Sequence, residues 1–138
     1  MVRIWVESGG IHPKRATQGS AGYDLHSMDR VELTPGESKL VRTGVYIAIP
    51  RGYEGQVRGR SGLAMRGLSV HLGTIDSDYR GEVCVIAQSS TDFIIERGSR
   101  IAQLVVSPVA MMQPFIVASK DELGSTSRGA GGFGSTGE

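Results

Sequence analysis

Gly73-Thr-Ile-Asp-Ser-Asp-Tyr-Arg-Gly-Glu places two carboxylates one residue apart, followed directly by a tyrosine and an arginine. Strand alternation sets Ile75 and Ser77 on one face and Asp76 and Asp78 on the other, so the acids share surroundings and one of them can act as a general base. Asp pairs in turns more often bond to local backbone or water, and spacing alone leaves the two roles open. Arg60-Ser-Gly offers a guanidinium, a hydroxyl and a helix entrance in consecutive positions, a set that can hold a di- or triphosphate. A plain connection between strands is the alternative. Asp24 lies in the apolar Ala21-Gly-Tyr-Asp-Leu and Gln103 in Ile101-Ala-Gln-Leu-Val. A polar group so placed needs a partner, and the plainer role for each is a buried hydrogen-bond anchor. Arg80 and Arg100 read as structural ion-pair members. His12, His26 and His71 share no metal-binding spacing, and Cys84 reads as a small buried hydrophobe. Ser61 lacks the Gly-x-Ser-x-Gly elbow of a hydrolase nucleophile.

The elements that position these residues are short apolar runs, at 1–6, 38–49, 54–57, 81–88, 92–96 and 101–109, separated by turn compositions such as Thr34-Pro-Gly and Arg97-Gly-Ser. Period-two alternation, as in Val83, Val85 and Ala87, marks them as strands. The pattern predicts an all-β chain of jelly-roll or distorted-barrel type. One short helix is expected over 61–66, with Ser61 as its cap and Gly67 as its stop. Trp5 reads as a packing residue near a subunit or sheet edge, and Met111 and Met112 as core or interface filling. From 124 to 138 the chain is almost entirely Gly, Ser, Thr and Ala, with Arg128 and Phe133 as its large side chains. Such a segment has too little apolar surface to order itself. It is either a plain disordered terminus or an arm with one phosphate contact and one stacking surface. The expected organisation is a β core over 1–123 and a glycine-rich, flexible arm over 124–138.

At 138 residues and 14.7 kDa the chain is the size of one domain. A net charge of +1 gives no long-range field for polyanions, yet twelve of the fifteen basic residues are Arg, whose planar fork suits phosphate. Small phosphorylated ligands are therefore expected rather than nucleic acid. A single Cys implies a reducing compartment, and no signal pattern or stretch of about eighteen apolar residues occurs, so a cytoplasmic protein without membrane contact is expected.

Taken in order, Ala21-Gly-Tyr-Asp-Leu-His-Ser, Gly59-Arg-Ser-Gly-Leu-Ala, the segment from Gly73 to Glu82, Gly98-Ser-Arg-Ile-Ala-Gln-Leu and Arg128-Gly-Ala-Gly-Gly-Phe-Gly-Ser-Thr-Gly resemble the five motifs of the trimeric dUTPase family. The resemblance runs from about residue 15 to residue 137. It implies a jelly-roll-like, β-clip subunit, a homotrimer whose sites draw on more than one subunit, and hydrolysis of dUTP to dUMP and pyrophosphate. Asp76 then activates the water that attacks the α-phosphorus. Backbone of Gly73, Thr74 and Ile75 holds uracil, and Tyr79 packs on the deoxyribose where a 2'-hydroxyl would collide. Arg60, Ser61 and Gly62 grip the β- and γ-phosphates. Arg128, Gly134, Ser135 and Thr136 add contacts from the arm, and Phe133 stacks on the base. Mg2+ is implied, bound by phosphates and water with no direct protein ligand, and with Asp24 and Gln103 in the outer shell.

One departure stands out. Many bacterial relatives have an Asn about six positions before the third-motif Asp, where this chain has Val70 followed by His71. Two rival readings share the scaffold. A dCTP deaminase needs a Glu five positions beyond Gly81, and that place is Ile86. A non-catalytic deoxynucleotide sensor needs no base, yet Asp76 is intact.

Overall fold

The computed structural model describes residues 1–134. They form eleven short strands, and every pairing between strands is antiparallel. The largest sheet runs in the order β2 (Tyr23–His26), β11 (Arg100–Pro108), β6 (Tyr53–Arg58), β8 (Gly73–Ile75), and a second runs β4 (Ser38–Val41), β9 (Val85–Ser89), β7 (Leu68–Val70). Two strand pairs complete the fold: β1 (Arg3–Val6) with β5 (Val45–Ala48), and β3 (Val31–Leu33) with β10 (Phe93–Ile95). The all-β expectation of a jelly-roll-like chain with one short helix holds.

Alternation explains the core. On β9, Val85 and Ala87 point inward while Ile86 faces out, as one covered face of a sheet requires. Leu25, Val57, Ile75 and Leu104 of the first sheet join Val41, Leu68, Val85 and Ala87 of the second in one buried cluster. On β11 the alternation breaks. Ile101 and Ala102 are both buried, and the register against β2 shifts between Arg100 and Ala102. The extra residue of this bulge brings Gln103 opposite Asp24.

The structure corrects several expectations. Residues 38–49 are two strands, not one, because Arg42-Thr-Gly turns the chain with Gly44 at φ +68°. A side chain at Gly44 would also meet Met28 Sδ at 2.8 Å. Only an isolated bridge, Tyr46 to Glu82, precedes β9, so the 81–88 run is strand over its second half. The helix α1 covers Ser61–Ala64, a single turn, and its N-cap is Arg60 without a side-chain bond, so Ser61 lies inside the helix rather than capping it. The helix ends at Ala64 with Met65 as its C-cap, short of the expected stop, and Gly67, at φ +92°, closes the turn that leads into β7. Met111 and Met112 are exposed and contribute nothing to this chain's core, and Cys84 is half-buried rather than buried. Trp5 does lie on an edge pair, tilted against Tyr46 at 5.0 Å between ring centroids. A 3-10 turn at Lys120–Leu123, held by a Ser119–Glu122 capping box, was not anticipated although its Ser-x-x-Glu spacing stands in the sequence. Among the described residues no helix is long and apolar enough to cross a membrane.

Gly55 lies on β6 between Ile75 of β8 and Val106 of β11. A methyl group there would meet Ile49 Cδ1 at 2.7 Å, Ile75 Cβ at 3.2 Å and Leu104 Cδ1 at 3.3 Å. Gly55→Ala is therefore expected to lower unfolding free energy by about 1–3 kcal/mol in urea titration. An unchanged midpoint would show that this layer has slack.

Candidate active site

β8 is pinned to β6 by the registers Val57 to Gly73, Gln56 to Thr74 and Gly55 to Ile75, and Ile75 plugs into the core. There the strand stops. The Asp76 carbonyl accepts from the Tyr79 amide at 3.1 Å, closing a turn over residues 76–79. The strand has ended, yet Asp76 and Asp78 are both exposed and border one cavity, as the alternation expects. A pocket of about 280 Å³ is lined by Gly73, Thr74, Ile75, Asp76 and Tyr79, with Cys84 in its wall. Asp78 lines instead an adjoining cavity that Asp76 also borders. One carboxylate, not a pair, faces the first pocket from this turn.

The turn is braced from several sides. Tyr79 donates its hydroxyl to the Glu82 carbonyl at 2.9 Å. Arg80 donates one Nη1 to the carbonyls of Ser77, at 2.8 Å, and Tyr79, at 2.7 Å. It thus closes a turn rather than forming the expected ion pair. Burial pushes the Cys84 thiol up, and the neighbouring Glu82 carboxylate adds to the effect, so the thiol stays protonated near neutral pH and is no nucleophile.

A second cluster gathers at the β2–β11 junction. Asp24 and Gln103 are cross-strand partners. Arg100 donates Nη1 to Asp24 Oδ2 at 3.1 Å, the expected ion pair. Arg60 donates Nη1 to the Arg100 carbonyl at 3.0 Å, and Gln103 donates Nε2 to the Gly59 carbonyl at 3.1 Å. Gly22 leaves room for that amide, since a Cβ there would come within 2.6 Å of Gln103 Oε1. Asp24 and Gln103 thus anchor the loop that leads into α1, while Ser61 and Gly62 on α1 are exposed. His26, next but one to Asp24, shares with Arg100 a cleft of about 680 Å³. Its Nδ1 is buried without a hydrogen-bond partner.

The two clusters do not meet in one chain. None of Arg60, Ser61, Gly62, Arg128 and Phe133 lines the Asp76 pocket. Arg128 donates Nε to the Gly131 carbonyl at 2.9 Å, Phe133 is fully exposed at φ +52°, and Gly134 follows it. Ser135 and Thr136 lie outside the described residues. Sequence reasoning missed Gly81 and the Glu82 carboxylate, described below. The only signal for either was proximity to Tyr79.

No three His, Cys, Asp or Glu side chains converge to cage a metal ion among the described residues. The donors at the β2–β11 junction suit an ion that keeps its water. Asp24 has a carboxylate oxygen beyond its bond to Arg100, and Gln103 faces it across the strand pair.

A family model for dUTPase matches residues 9–137. The chain is 48% identical to the deoxyuridine 5'-triphosphate nucleotidohydrolase of Chlamydia caviae, over 96% of this chain and 95% of that one. It is 50% identical to the same-named protein of Anaeromyxobacter sp., over 91% of this chain and 86% of that one. Among solved structures, a mutant dUTPase of Staphylococcus bacteriophage 80alpha with dUpNHpp matches at a TM-score of 0.90 and 26% identity, covering 100% of this chain and 99% of that one. A mutant dUTPase from phage phi11 of S. aureus, with a structural Mg(II) ion, shares the fold at a TM-score of 0.82 and 23% identity over 88% of this chain and 99% of that one.

The cleft makes a prediction about pH. Burial is the largest influence on His26 and pushes its pKa below 6.5; Asp24 pulls it up, while Arg100 and Arg60 push it down. An unfolded chain then takes up this proton first as pH falls, so His26 supports folding fully above its ordinary pKa. That support fades between 6.5 and the lower folded value. Urea titrations from neutral pH to about pH 5 should show wild type losing more stability than His26→Gln. Parallel curves for the two proteins would remove His26 from this role.

Proposed function

The chain belongs to the dUTPase family, and from that premise we propose that it hydrolyses dUTP to dUMP and pyrophosphate, with Asp76 as the base. The carrying observation is the placement of Asp76 beside Tyr79 and the β8 backbone at the rim of one pocket. Uracil lies along Gly73, Thr74 and Ile75, whose main-chain donors and acceptors read its edge, and a missed buried hydrogen bond rejects cytosine. Tyr79 packs against the deoxyribose. The Asp76 carboxylate takes a proton from water as the water oxygen bonds to the α-phosphorus. The bond from that phosphorus to the bridging oxygen breaks, and pyrophosphate leaves with the electron pair.

Arg60, Ser61 and Gly62 hold the β- and γ-phosphates as the charge on pyrophosphate grows. Because they do not line the Asp76 pocket in their own chain, they act on a nucleotide seated against another copy. A homotrimer with shared sites is the assembly we propose. Exposed apolar residues of the 109–118 segment, such as Phe115 at 88% and Ile116 at 90%, are surface for a second copy to cover. The arm over 124–138 then closes each site, with Phe133 stacked on uracil and Arg128, Gly134, Ser135 and Thr136 on the phosphates. Asp24 and Gln103 would hold Mg2+ through water, and the ion would supply charge neutralisation on the leaving group. The setting is cytoplasmic, where dUTP hydrolysis keeps uracil out of DNA and supplies dUMP.

Asp76→Asn keeps the shape of the side chain and removes its basicity. Pyrophosphate release from dUTP should fall by roughly two to four orders of magnitude, while calorimetric affinity for dUpNHpp stays close to that of wild type. Turnover that survives the substitution would assign the base to another group.

A further inference from the structure

Tyr79 owes its position to the residue that has no side chain. A Cβ built on Gly81 would lie 2.5 Å from Tyr79 Cζ and 3.0 Å from Cε2, and closer still to the hydroxyl oxygen. These distances are below van der Waals contact, so the ring would have to leave. Gly81 is not at a positive φ, and its backbone is one that other residues adopt. Space, not flexibility, is what the glycine supplies. With it empty, the ring folds back over position 81 and donates its hydroxyl to the Glu82 carbonyl at 2.9 Å.

That carbonyl is itself fixed. Glu82 Oε1 accepts from the amides of Gly44, at 2.8 Å, and Thr43, at 3.2 Å, and Oε2 accepts from Arg42 Nε at 3.0 Å. The Glu82 side chain is only 14% exposed, so these charge-assisted bonds are shielded from water. The next residue continues the tie, with the Val83 amide on the Val45 carbonyl at 2.7 Å. The ring of Tyr79, 44% exposed and lining the Asp76 pocket, is thus referenced to β5 through Glu82 rather than left to swing from its turn.

We infer that Gly81 is a specificity-determining position: its missing side chain lets Tyr79 fold back onto the Glu82 carbonyl, and this sets how near the ring stands to the sugar. The inference rests on the proposed reading in which Tyr79 faces the deoxyribose. A ring held at one height rejects an added 2'-hydroxyl by collision. A displaced ring opens the space that the hydroxyl needs. Gly81 touches no substrate, so it is a positioning residue.

The test compares kcat/KM for dUTP and UTP in wild type, Gly81→Ala, Tyr79→Ala and the double variant, with thermal unfolding of each. In Gly81→Ala the dUTP preference should fall by about tenfold, chiefly through a lower KM for UTP. In the Tyr79→Ala background, where no ring remains to displace, Gly81→Ala should change the preference no further. Equal preferences in wild type and Gly81→Ala, or two losses that multiply in the double variant, would overturn the inference. If Tyr79→Ala alone keeps the full preference, the placement of Tyr79 at the sugar fails, a separate outcome. Tyr79→Phe keeps the ring and removes only its bond to Glu82, so it gives a readout should Gly81→Ala fold poorly. A smaller fall in preference is expected there, and none would contradict the pinning role.

Discussion

Opposite charges that must both remain available to a substrate have to be kept from each other. A guanidinium within about 4–6 Å of a carboxylate lowers its pKa and occupies its lone pairs, which spoils it as a base. In this chain the Asp76 pocket is lined by no arginine, while Arg100 is already satisfied by Asp24. The two clusters are held by different edges of the same sheet, β8 on one side and β2 with β11 on the other. On the proposed reading a nucleotide triphosphate is the object that bridges them, its sugar and α-phosphorus at one and its outer phosphates at the other. A single chain then carries two half-sites that face different copies.

Short strands are what make such placement workable. β8 is three residues long and ends with Ile75 in the core, so the next residue is presented at a fixed point with no further alternation to obey. The bulge in β11 does the same for Gln103, turning it to face Asp24 and letting its amide reach Gly59 at the entrance to α1. Glu82, itself in the pocket wall, ties the return of the turn to Thr43 and Gly44. Each device positions a polar side chain through buried neighbours or backbone bonds. Loops that carry function are commonly held by rigid scaffolds in this way.

How far these features are legible in the sequence depends on their length and range. β9 and β11 show their inward residues directly as alternating or near-continuous apolar runs. β2, β3, β7 and β8 have three or four residues, too few for a period to stand out. Asp24 and Gln103 were visible as polar residues in apolar surroundings, and both proved to be anchors. Ser61 misled because a hydroxyl before apolar residues looks like a cap, yet α1 is one turn long, its N-cap is Arg60, and Ser61 is its first residue. For Met111 and Met112 the two readings, core or interface, were left open, because hydrophobicity records a need for cover and not which chain provides it, and their exposure removes only the core. Gly81 was illegible because its role is a volume left for a ring two residues away, which no spacing rule encodes.

The division of the site between copies is tested most directly by mixing two damaged chains. Asp76→Asn and Arg60→Ala chains, each nearly inactive when refolded alone, are unfolded, combined in equal amounts and refolded together. If a site takes its base from one copy and its phosphate grip from a neighbour, random assembly leaves about a quarter of sites intact, and dUTP hydrolysis should recover to about that fraction of wild type. A mixture no more active than its separate components would place base and grip in the same chain and contradict the account.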